Sequence, residues 1–210
     1  MLRYLFGDEL NDHPQLRDTM FRDRTTQFRD RLGWEVSVDA DGFERDEYDD
    51  LNPLYVIWQR PDGRHGGSAR FLPTIGSTMV EDHFSHIADI AHLKSPFIWE
   101  CTRFCLSPDA DSQVAGLLML GGGELMRGFS VEHFLGVFDA RMIRIYRMIG
   151  ASPEVLGSQG EGRDRISVGL WSFTMEDRDQ VLQRAGVSSE LSEHWFEQHF
   201  GQNSLTALTA

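Results

Sequence analysis

The chain has 210 residues, a formal net charge of −13 at pH 7 and a hydrophobic share of 40%. This length suits one domain with a well-filled core and is short for two. The negative charge argues against nucleic acid as a partner, because a phosphate backbone demands clustered Lys and Arg. No run approaches the roughly 20 apolar residues of a membrane span. Since Asp8 and Glu9 precede any signal-like stretch, we expect a cytoplasmic protein.

The two cysteines, Cys101 and Cys105, are four residues apart in an apolar run. A strand would hold them too far apart for a disulfide, and no cluster of Cys and His surrounds them. We therefore expect buried thiols and no metal site.

Hydrophobic patterns predict a succession of helices and strands. Residues 14–32 carry apolar side chains at four-residue spacing, with Asn11 or Asp12 as N-cap and Gly33 past the end, which is typical of a helix. Runs rich in β-branched and aromatic residues predict strands at 54–60, 68–74, 97–106 and 166–173. Further helices are predicted at 111–128, 139–150, 177–185 and 190–200.

The connections complete the expected fold. Residues 61–63 (Pro-Asp-Gly) and the pair Gly66-Gly67 favour a hairpin between the first two strands. Residues 150–165, rich in Gly, Ser and Glu, indicate a long surface loop. The order of elements predicts an α/β protein: a single-domain three-layer sandwich around a mixed sheet.

A positive charge interrupts the apolar face of the first helix. Arg24 shares the four-residue row of Met20 and Phe28, so a guanidinium lies on the face that seeks the core and needs a partner. Asp46 and Asp49, three residues apart, could form the matching carboxylate cluster. The alternatives are an Arg that reaches past the edge of the core and an acidic run that is simply solvated.

Glu100 and Arg103 interrupt the most apolar predicted strand. Burial of a carboxylate costs several kcal/mol, so Glu100 must be paired, hydrogen-bonded or raised in pKa. A buried Glu of this kind is a candidate general base, and the alternative is a structural ion pair. Strict alternation places the two residues on opposite faces, so either a bulge reorients one or they serve different parts of a site.

Nine residues of the first half occur in one order: Arg24, Phe28, Trp34, Asp46, Asp49, Arg70, Phe84, Glu100 and Arg103. With the LNPLYVI strand and WECTRF at 99–104, their order and spacing resemble the acyl-homoserine-lactone synthases, the autoinducer synthases of bacterial quorum sensing. The resemblance covers roughly residues 20 to 106 and is looser beyond. It implies the fold of the N-acyltransferases, a twisted mixed sheet flanked by helices, with a V-shaped cleft for the pantetheine arm of an acyl donor.

The resemblance also implies an enzyme and its chemistry. S-adenosylmethionine would use its α-amine to attack the thioester of an acylated acyl carrier protein. Its carboxylate would then displace methylthioadenosine from the γ-carbon and close a lactone. S-adenosylmethionine is a substrate here, so no cofactor is expected. The source of the acyl group, carrier protein or acyl-CoA, stays open.

Site roles follow from the same resemblance. The catalytic group would be Glu100, Asp46, Asp49 and Arg70, with Glu100 as the preferred base and the other carboxylates or water as alternatives. Substrate binding would fall to Arg24, Phe28, Trp34, Phe84, Thr102 and Arg103. The chain would divide into a mobile N-terminal lid and S-adenosylmethionine region (1–50), a central sheet (51–106) and a half for acyl chain and carrier protein (107–210).

The second half offers two further expectations. The apolar candidates for an acyl pocket are Leu118, Met119, Met126, Phe138, Met142, Met148 and Leu170, although Met and Phe at helical spacing are often ordinary core. Arg141, Arg144 and Arg147 recur every third residue on a predicted helix and form a candidate docking face for an acidic carrier. The alternative is a solvated helix face.

Two rival functions remain compatible with the fold. One is another N-acyltransferase that uses acyl-CoA and a different amine, which would lack the acidic and aromatic N-terminal region. The other is a non-catalytic module that senses a ligand, which would lack one of the paired charges. All of those residues are present in the chain.

Overall fold

The computed structural model describes residues 1–201; residues 202–210 of the predicted 107–210 half lie outside that part of the chain. One seven-stranded sheet runs through the molecule in the order β1-β2-β3-β4-β5-β7-β6. The strands are β1 (Leu2–Phe6), β2 (Leu54–Gln59), β3 (His65–Pro73), β4 (Ile98–Leu106), β5 (His133–Asp139), β6 (Glu154–Gln159) and β7 (Ile166–Trp171). The helices are α1 (Pro14–Arg24), α2 (Met79–Phe84), α3 (Val114–Phe129), α4 (Ala140–Ile149), α5 (Met175–Ala185) and α6 (Ser189–Phe200).

The sheet is mixed, as predicted, because one pair of neighbouring strands is parallel. β1 to β4 pair antiparallel, β4 and β5 pair parallel, and β7 pairs antiparallel with β5 and β6. The parallel pairing covers only Ile98–Glu100 of β4 against His133–Leu135 of β5. Beyond it, β4 stays paired with β3 and β5 with β7, but the two strands no longer pair with each other, which leaves a V-shaped opening in the sheet.

A β-bulge in β4 lies beside this opening. Between the pairs Ser68–Cys105 and Arg70–Thr102, β4 carries one residue more than β3. Arg103 lies in this interval and has a φ of 51°, in the left-handed region. The bulge breaks strict alternation, so the side chain of Arg103 lies on the same face as that of Arg70, where both reach Asp46.

Helices cover both faces of the sheet and enclose separate cores. Residues of α1 pack on β1 and β2 in a cluster with Tyr55 and Ile57. Residues of α3 pack on the opposite face, in a cluster that includes Leu54 and Val56. Alternate residues of β2 thus point to opposite helical layers. This is the predicted three-layer α/β sandwich.

Three consecutive glycines let α3 lie close to its neighbours. A Cβ at Gly121 would lie 2.5 Å from Cγ1 of Val56 on β2. A Cβ at Gly123 would lie 2.0 Å from the ring of Phe173. Any larger side chain at these positions would push the helix away from the sheet.

The first helix differs from the predicted 14–32 in its hydrogen bonding. The α-helix α1 ends at Arg24 and continues as a π-helix over Thr25–Arg31. The expected N-caps, Asn11 and Asp12, lie in a preceding 3₁₀ helix, and His13 occupies the N-cap without a side-chain bond. The missing side-chain cap costs little here, because the Pro at the first helical position has no N–H group that needs a partner.

Three strands and one short helix, α2, lie outside the predicted elements. β1 joins the sheet, so the start of the predicted 1–50 lid belongs to the central sheet. The β5 strand follows α3 and consists mostly of apolar residues. β6 occupies part of the predicted 150–165 loop, where exposed polar residues hide the alternation of an edge strand.

The hairpin between β2 and β3 turns at residues 60–64, whereas Gly66 and Gly67 lie inside β3. The other predicted strands and helices are confirmed to within a few residues.

Over residues 1–201, the structure has no helix with both the length and the apolar character needed to cross a bilayer.

Two glycines of α3 should respond oppositely to Ala. Gly121→Ala should lower the free energy of unfolding by about 1–3 kcal/mol, since overpacking outweighs the helix propensity gained. Gly116→Ala should raise it by about 0.5–1 kcal/mol, since Ala is the better helix former; its Cβ would meet Ala185 at an ordinary 3.8 Å. Urea unfolding of both variants measures the difference. Equal effects would contradict the close approach of α3 to β2.

Candidate active site

A buried arginine at the end of α1 holds two carboxylates. Arg24 is fully buried, and its Nε donates to Oε2 of Glu44 at 2.6 Å. Its two terminal nitrogens donate to the two carboxylate oxygens of Asp49, each at 2.9 Å. Burial alone would raise the pKa of Asp49, but the guanidinium groups of Arg24 and Arg70 hold that pKa well below its usual range. Of the two predicted partners, Asp49 pairs with Arg24 and Asp46 does not; the second carboxylate is that of Glu44, which was not predicted.

A second arginine reaches the same carboxylates from β3. Arg70 is fully buried and donates to both Asp46 and Asp49. Its Nε donates to Oγ1 of Thr102 on β4 at 3.0 Å. Asp46 is also the N-cap of the 3₁₀ helix Glu47–Leu51, in a reciprocal capping box with Asp49. The D-x-x-D spacing therefore orients both carboxylates toward one arginine.

A third arginine, Arg103 at the β4 bulge, closes the network. It binds Oε1 of Glu44 at 3.0 Å and Oδ2 of Asp46 at 2.7 Å. The guanidinium also lies 5.5 Å from the ring centre of Phe28, which stacks on Trp34 at 5.4 Å. Three guanidinium groups thus meet three carboxylates, a balance that lowers the cost of burying six charges. We call these six residues the ionic network: Arg24, Glu44, Asp46, Asp49, Arg70 and Arg103.

The exposed end of this arrangement is aromatic. Trp34 is 39% exposed, whereas Phe28 is buried beneath it. Phe84, the other aromatic residue expected near the substrate, is the last residue of α2. It packs against a separate hydrophobic core that contains Val80. Tyr48 links the two regions, because its hydroxyl donates to Asp82 of α2 at 2.8 Å.

Glu100 is buried on β4 at the last residue that pairs with β5. It accepts hydrogen bonds from the backbone N–H groups of Met79 (3.0 Å) and Val80 (2.6 Å) in the first turn of α2. Burial raises its pKa to about 7, while the two N–H groups and Arg70 oppose the shift. A carboxyl that is about half ionised at neutral pH suits the predicted role of general base.

An apolar cleft lies in the opening between β4 and β5. Its cavity volume is about 70 Å³, so the cleft is narrow in this structure. Its wall includes three of the predicted pocket residues, Leu118, Met119 and Met126, all on α3. Two residues of the site, Thr102 and Arg103, reach the same cleft. The acyl-pocket role of the three apolar residues stays a prediction.

The other four predicted pocket residues lie elsewhere. Phe138 is buried in the main core, and Met142 packs against that core. Met148 is 66% exposed, because α4 turns Tyr146 and Ile149 inward instead. Leu170 packs in the separate core with Val80, since strand alternation gives the cleft to its neighbour Trp171.

The three arginines of α4 are exposed along one side of the helix, as expected from their spacing. Arg141 lies 3.5 Å from Asp139, the N-cap of the helix. Their role in docking a carrier protein stays a prediction.

Some site residues had no sequence signal of their own. Glu44 holds both Arg24 and Arg103, yet it sits in an acidic stretch in which no periodicity distinguishes it from its exposed neighbours. Tyr55 donates to Asp49 from β2, where its sequence context is that of a core aromatic residue. Both follow from the packing of distant segments.

The fold is that of the N-acyltransferases, with a buried carboxyl group, that of Glu100, beside a split sheet. A Lactobacillus plantarum protein assigned as an N-acetyltransferase superposes with a TM-score of 0.54 at 13% identity, over 81% of this chain and 97% of that one. MesI, a CoA-dependent acyl-homoserine lactone synthase, gives a TM-score of 0.79 at 22% identity, over 91% of this chain and 98% of that one. BjaI, another CoA-dependent synthase, gives 0.78 at 21% identity, over 90% of each chain.

Sequence similarity identifies the family within this fold. The acyl-homoserine-lactone synthase of Rhizobium etli is 41% identical over 184 residues, which cover 84% of this chain and 86% of that protein. Residues 8–188 match the model of the autoinducer synthase family. The chain belongs to the autoinducer synthase family and is an acyl-transferring enzyme. The resemblance inferred from its first half is confirmed.

Removal of one network charge should destabilise the protein strongly. Glu44→Gln leaves Arg24 and Arg103 without a full counter-charge, so the free energy of unfolding should fall by about 3–5 kcal/mol. Glu47→Gln is the matched control, because Glu47 is exposed and three residues away; its effect should stay within about 0.5 kcal/mol. Urea unfolding compares the two. Similar small losses in both variants would argue against a tightly coupled network.

Proposed function

We propose that the enzyme makes an N-acyl-L-homoserine lactone from S-adenosylmethionine and an acyl thioester, with release of methylthioadenosine. The observation that carries this proposal is the position of Glu100. A carboxyl with a pKa of about 7 lies where the parallel pairing of β4 and β5 ends, and the next residues along β4, Cys101 and Thr102, line the apolar cleft. The structure of BjaI was solved with S-adenosylmethionine and isopentyl-CoA, which supports the same pair of substrate classes here.

The ionic network suits the amino-acid end of S-adenosylmethionine. Arg103 is its most accessible cation, with a side chain 12% exposed beside the cleft. It would bind the substrate carboxylate, while Asp46, equally exposed, would hold the ammonium. Phe28 and Trp34 would give aromatic surface to the sulfonium and the adenosine. The four remaining network residues fix the geometry of these contacts: Arg24, Glu44, Asp49 and Arg70.

Amide formation would begin with loss of a proton. An α-ammonium has no lone pair, so Glu100 accepts one of its protons, directly or through water. The amine nitrogen then attacks the thioester carbonyl, the C–N bond forms and the C–S bond breaks. The second nitrogen proton leaves as the amide forms, and the departing thiolate takes up a proton. Thr102 contributes by holding Arg70 through its hydroxyl.

Lactone formation needs no further base. A carboxylate oxygen of the acylated intermediate attacks its own γ-carbon, and the C–S bond of the sulfonium breaks. Methylthioadenosine leaves as a neutral thioether. Because the attack is intramolecular, the enzyme need only hold the chain bent, which is an entropic contribution.

We propose an acyl carrier protein as the donor. Arg141, Arg144 and Arg147 are exposed on α4, the helix that also contributes Tyr146 to the cleft. This basic face would attract an acidic carrier locally, although the whole chain carries a charge of −13. Mass spectrometry of purified enzyme with S-adenosylmethionine and either acylated carrier or acyl-CoA tests both the product and the donor. Absence of lactone with either donor would reject the proposed function.

Glu100→Gln should slow turnover by about 10²–10⁴-fold, since the amide cannot accept the proton. In the wild type, kcat/KM should rise with pH and level off above a midpoint near 7, the pKa of Glu100. The variant should lose that midpoint. Near-normal turnover of the folded variant at saturating substrates would move the base to Asp46, Asp49 or water.

Stability against pH provides the folding control for this variant. The pKa of Glu100 rises from 4.5 to about 7 on folding, so the folded state binds more protons in that interval. Its contribution to the free energy of unfolding therefore falls as pH rises from about 4.5 through 7. Urea unfolding across this range should show a smaller fall for Glu100→Gln than for the wild type.

Replacement of Arg141, Arg144 and Arg147 by Ala should raise KM for the acylated carrier by roughly tenfold at low salt, since each exposed charge contributes up to about 1 kcal/mol. The effect should shrink as salt rises, and KM for S-adenosylmethionine should stay nearly constant. A control removes three other charges, Arg22→Ala, Arg60→Ala and Arg64→Ala, around α1 and the β2–β3 turn. Equal effects of the two triple variants would reject α4 as the docking face.

A further inference from the structure

The carboxylate of Glu100 is held by one short helix. Its Oε2 accepts from the backbone N–H of Met79 at 3.0 Å, and its Oε1 accepts from that of Val80 at 2.6 Å. Both donors belong to the first turn of α2. A hydrogen bond to an ionised carboxylate orients it and stabilises the charged form. The position of α2 therefore controls both the direction and the proton affinity of this group.

A tyrosine joins α2 to the ionic network. Tyr48 has only 2% of its surface exposed, and the guanidinium carbon of Arg70 lies 5.5 Å from its ring centre. Its backbone N–H donates to Oδ1 of Asp46 at 3.1 Å. These contacts fix the ring, and its hydroxyl donates to Oδ2 of Asp82 at 2.8 Å. The phenol thus anchors a carboxylate of α2 that is otherwise exposed to solvent.

Two other polar contacts between α2 and this side of the site are weaker. Nε2 of His83 lies 3.5 Å from Oε1 of Glu47, and both side chains are more than half exposed, so solvent screens the pair. Nη1 of Arg103 donates to Sδ of Met79 at 3.6 Å, and a thioether is a weak acceptor. Of the three contacts, the bond from the hydroxyl of Tyr48 is therefore the strongest.

The hydroxyl of Tyr48 keeps its proton and so remains a donor. Burial raises the pKa of Tyr48 well above its usual range, and the hydrogen bond to Asp82 adds to the shift. The carboxylates of Asp82, Glu47 and Glu100 act in the same direction, because they oppose a negative charge on the phenol. The bond to Asp82 is thus maintained across the pH range in which Glu100 titrates.

We propose that Tyr48 and Asp82 are a positioning pair, whose hydrogen bond holds α2 where its two N–H groups meet the Glu100 carboxylate. This inference rests on the proposed function, since it takes Glu100 as the base. Both residues act on the reaction through Glu100. The pair also connects the substrate with the base, because Asp46, which would hold the ammonium, accepts the N–H of Tyr48.

Position and charge have opposite effects on Glu100. Weaker N–H bonds would raise its pKa, since these bonds favour the ionised form. Loss of the Asp82 charge alone would lower that pKa, because one carboxylate fewer opposes ionisation. Substitution of Asp82 leaves unchanged the ionisable groups that face Glu100 from the other elements: Arg70 of β3, Asp46 and Tyr48 at the 3₁₀ helix, and Cys101 of β4.

The pH dependence of kcat/KM tests the pair at its exposed end. Asp82→Ala should move the midpoint near 7 upward by roughly one pH unit, because α2 is no longer anchored. Initial rates of methylthioadenosine release should fall about fivefold at about pH 7 and recover by about pH 9. KM for S-adenosylmethionine should stay nearly constant. Asp82→Asn should not raise the midpoint, because its amide oxygen still accepts from Tyr48. Tyr48→Phe should reproduce the rise from the other side of the bond.

Glu81→Gln is the matched control. It removes the neighbouring charge of α2, which pairs with Lys94 at 2.7 Å, and leaves the bond between Tyr48 and Asp82 in place. Its midpoint should not rise. An equal rise in Asp82→Asn and Asp82→Ala, or no rise in Asp82→Ala, would overturn the positioning pair.

Activity that Asp82→Ala loses equally at every pH would also overturn the pair, since damaged folding gives that pattern. Absence of lactone from the wild type would overturn the proposed function and this inference together. Lactone formation with a midpoint that Glu100→Gln removes, but that neither Asp82→Ala nor Tyr48→Phe moves, overturns this inference alone.

Discussion

The left-handed bulge at Arg103 is the constraint on which the site depends. A regular β4 would turn this side chain away from Asp46. The bulge places the guanidinium in the ionic network, and β5 separates from β4 a few residues before it. A non-glycine residue in this conformation is strained, and two carboxylates, Glu44 and Asp46, hold it there. The charged site therefore depends on this backbone feature, which follows the start of the opening by three residues of β4.

The ionic network also explains why the segment that follows α1 is ordered. Residues 32–46 contribute few apolar side chains to the cores, yet Glu44 is fully buried. Buried charges add stability only when each has its counter-charge and hydrogen bonds, and Arg24 and Arg103 provide both. A charged substrate that enters beside Arg103 must exchange one of these contacts for its own. The segment is thus held by the same groups that a charged amino acid would engage, so binding and ordering are coupled through them.

The sequence predicts well what local periodicity controls. The α1 helix, the β2–β3 hairpin and β4 carry strong apolar patterns, and the resemblance adds the order of nine site residues. Local patterns fail for β6, because an edge strand exposes polar side chains on both faces. They also fail for Glu44, whose contacts with Arg24 and Arg103 join distant segments. The prediction assigns Met148 to the acyl pocket on hydrophobicity alone. The orientation of α4 decides instead which of its residues face inward.

In the proposed reaction, the two substrates would meet where the sheet divides. Glu100 lies on the face of the ionic network, and its neighbour Cys101 lines the cleft behind it. Pairing between β4 and β5 stops at Glu100 and Leu135; if it continued, backbone hydrogen bonds would separate the base from the cleft. In that reaction, an amine activated on one face would reach a thioester held on the other through this opening. The end of the parallel pairing would therefore fix the point of amide formation.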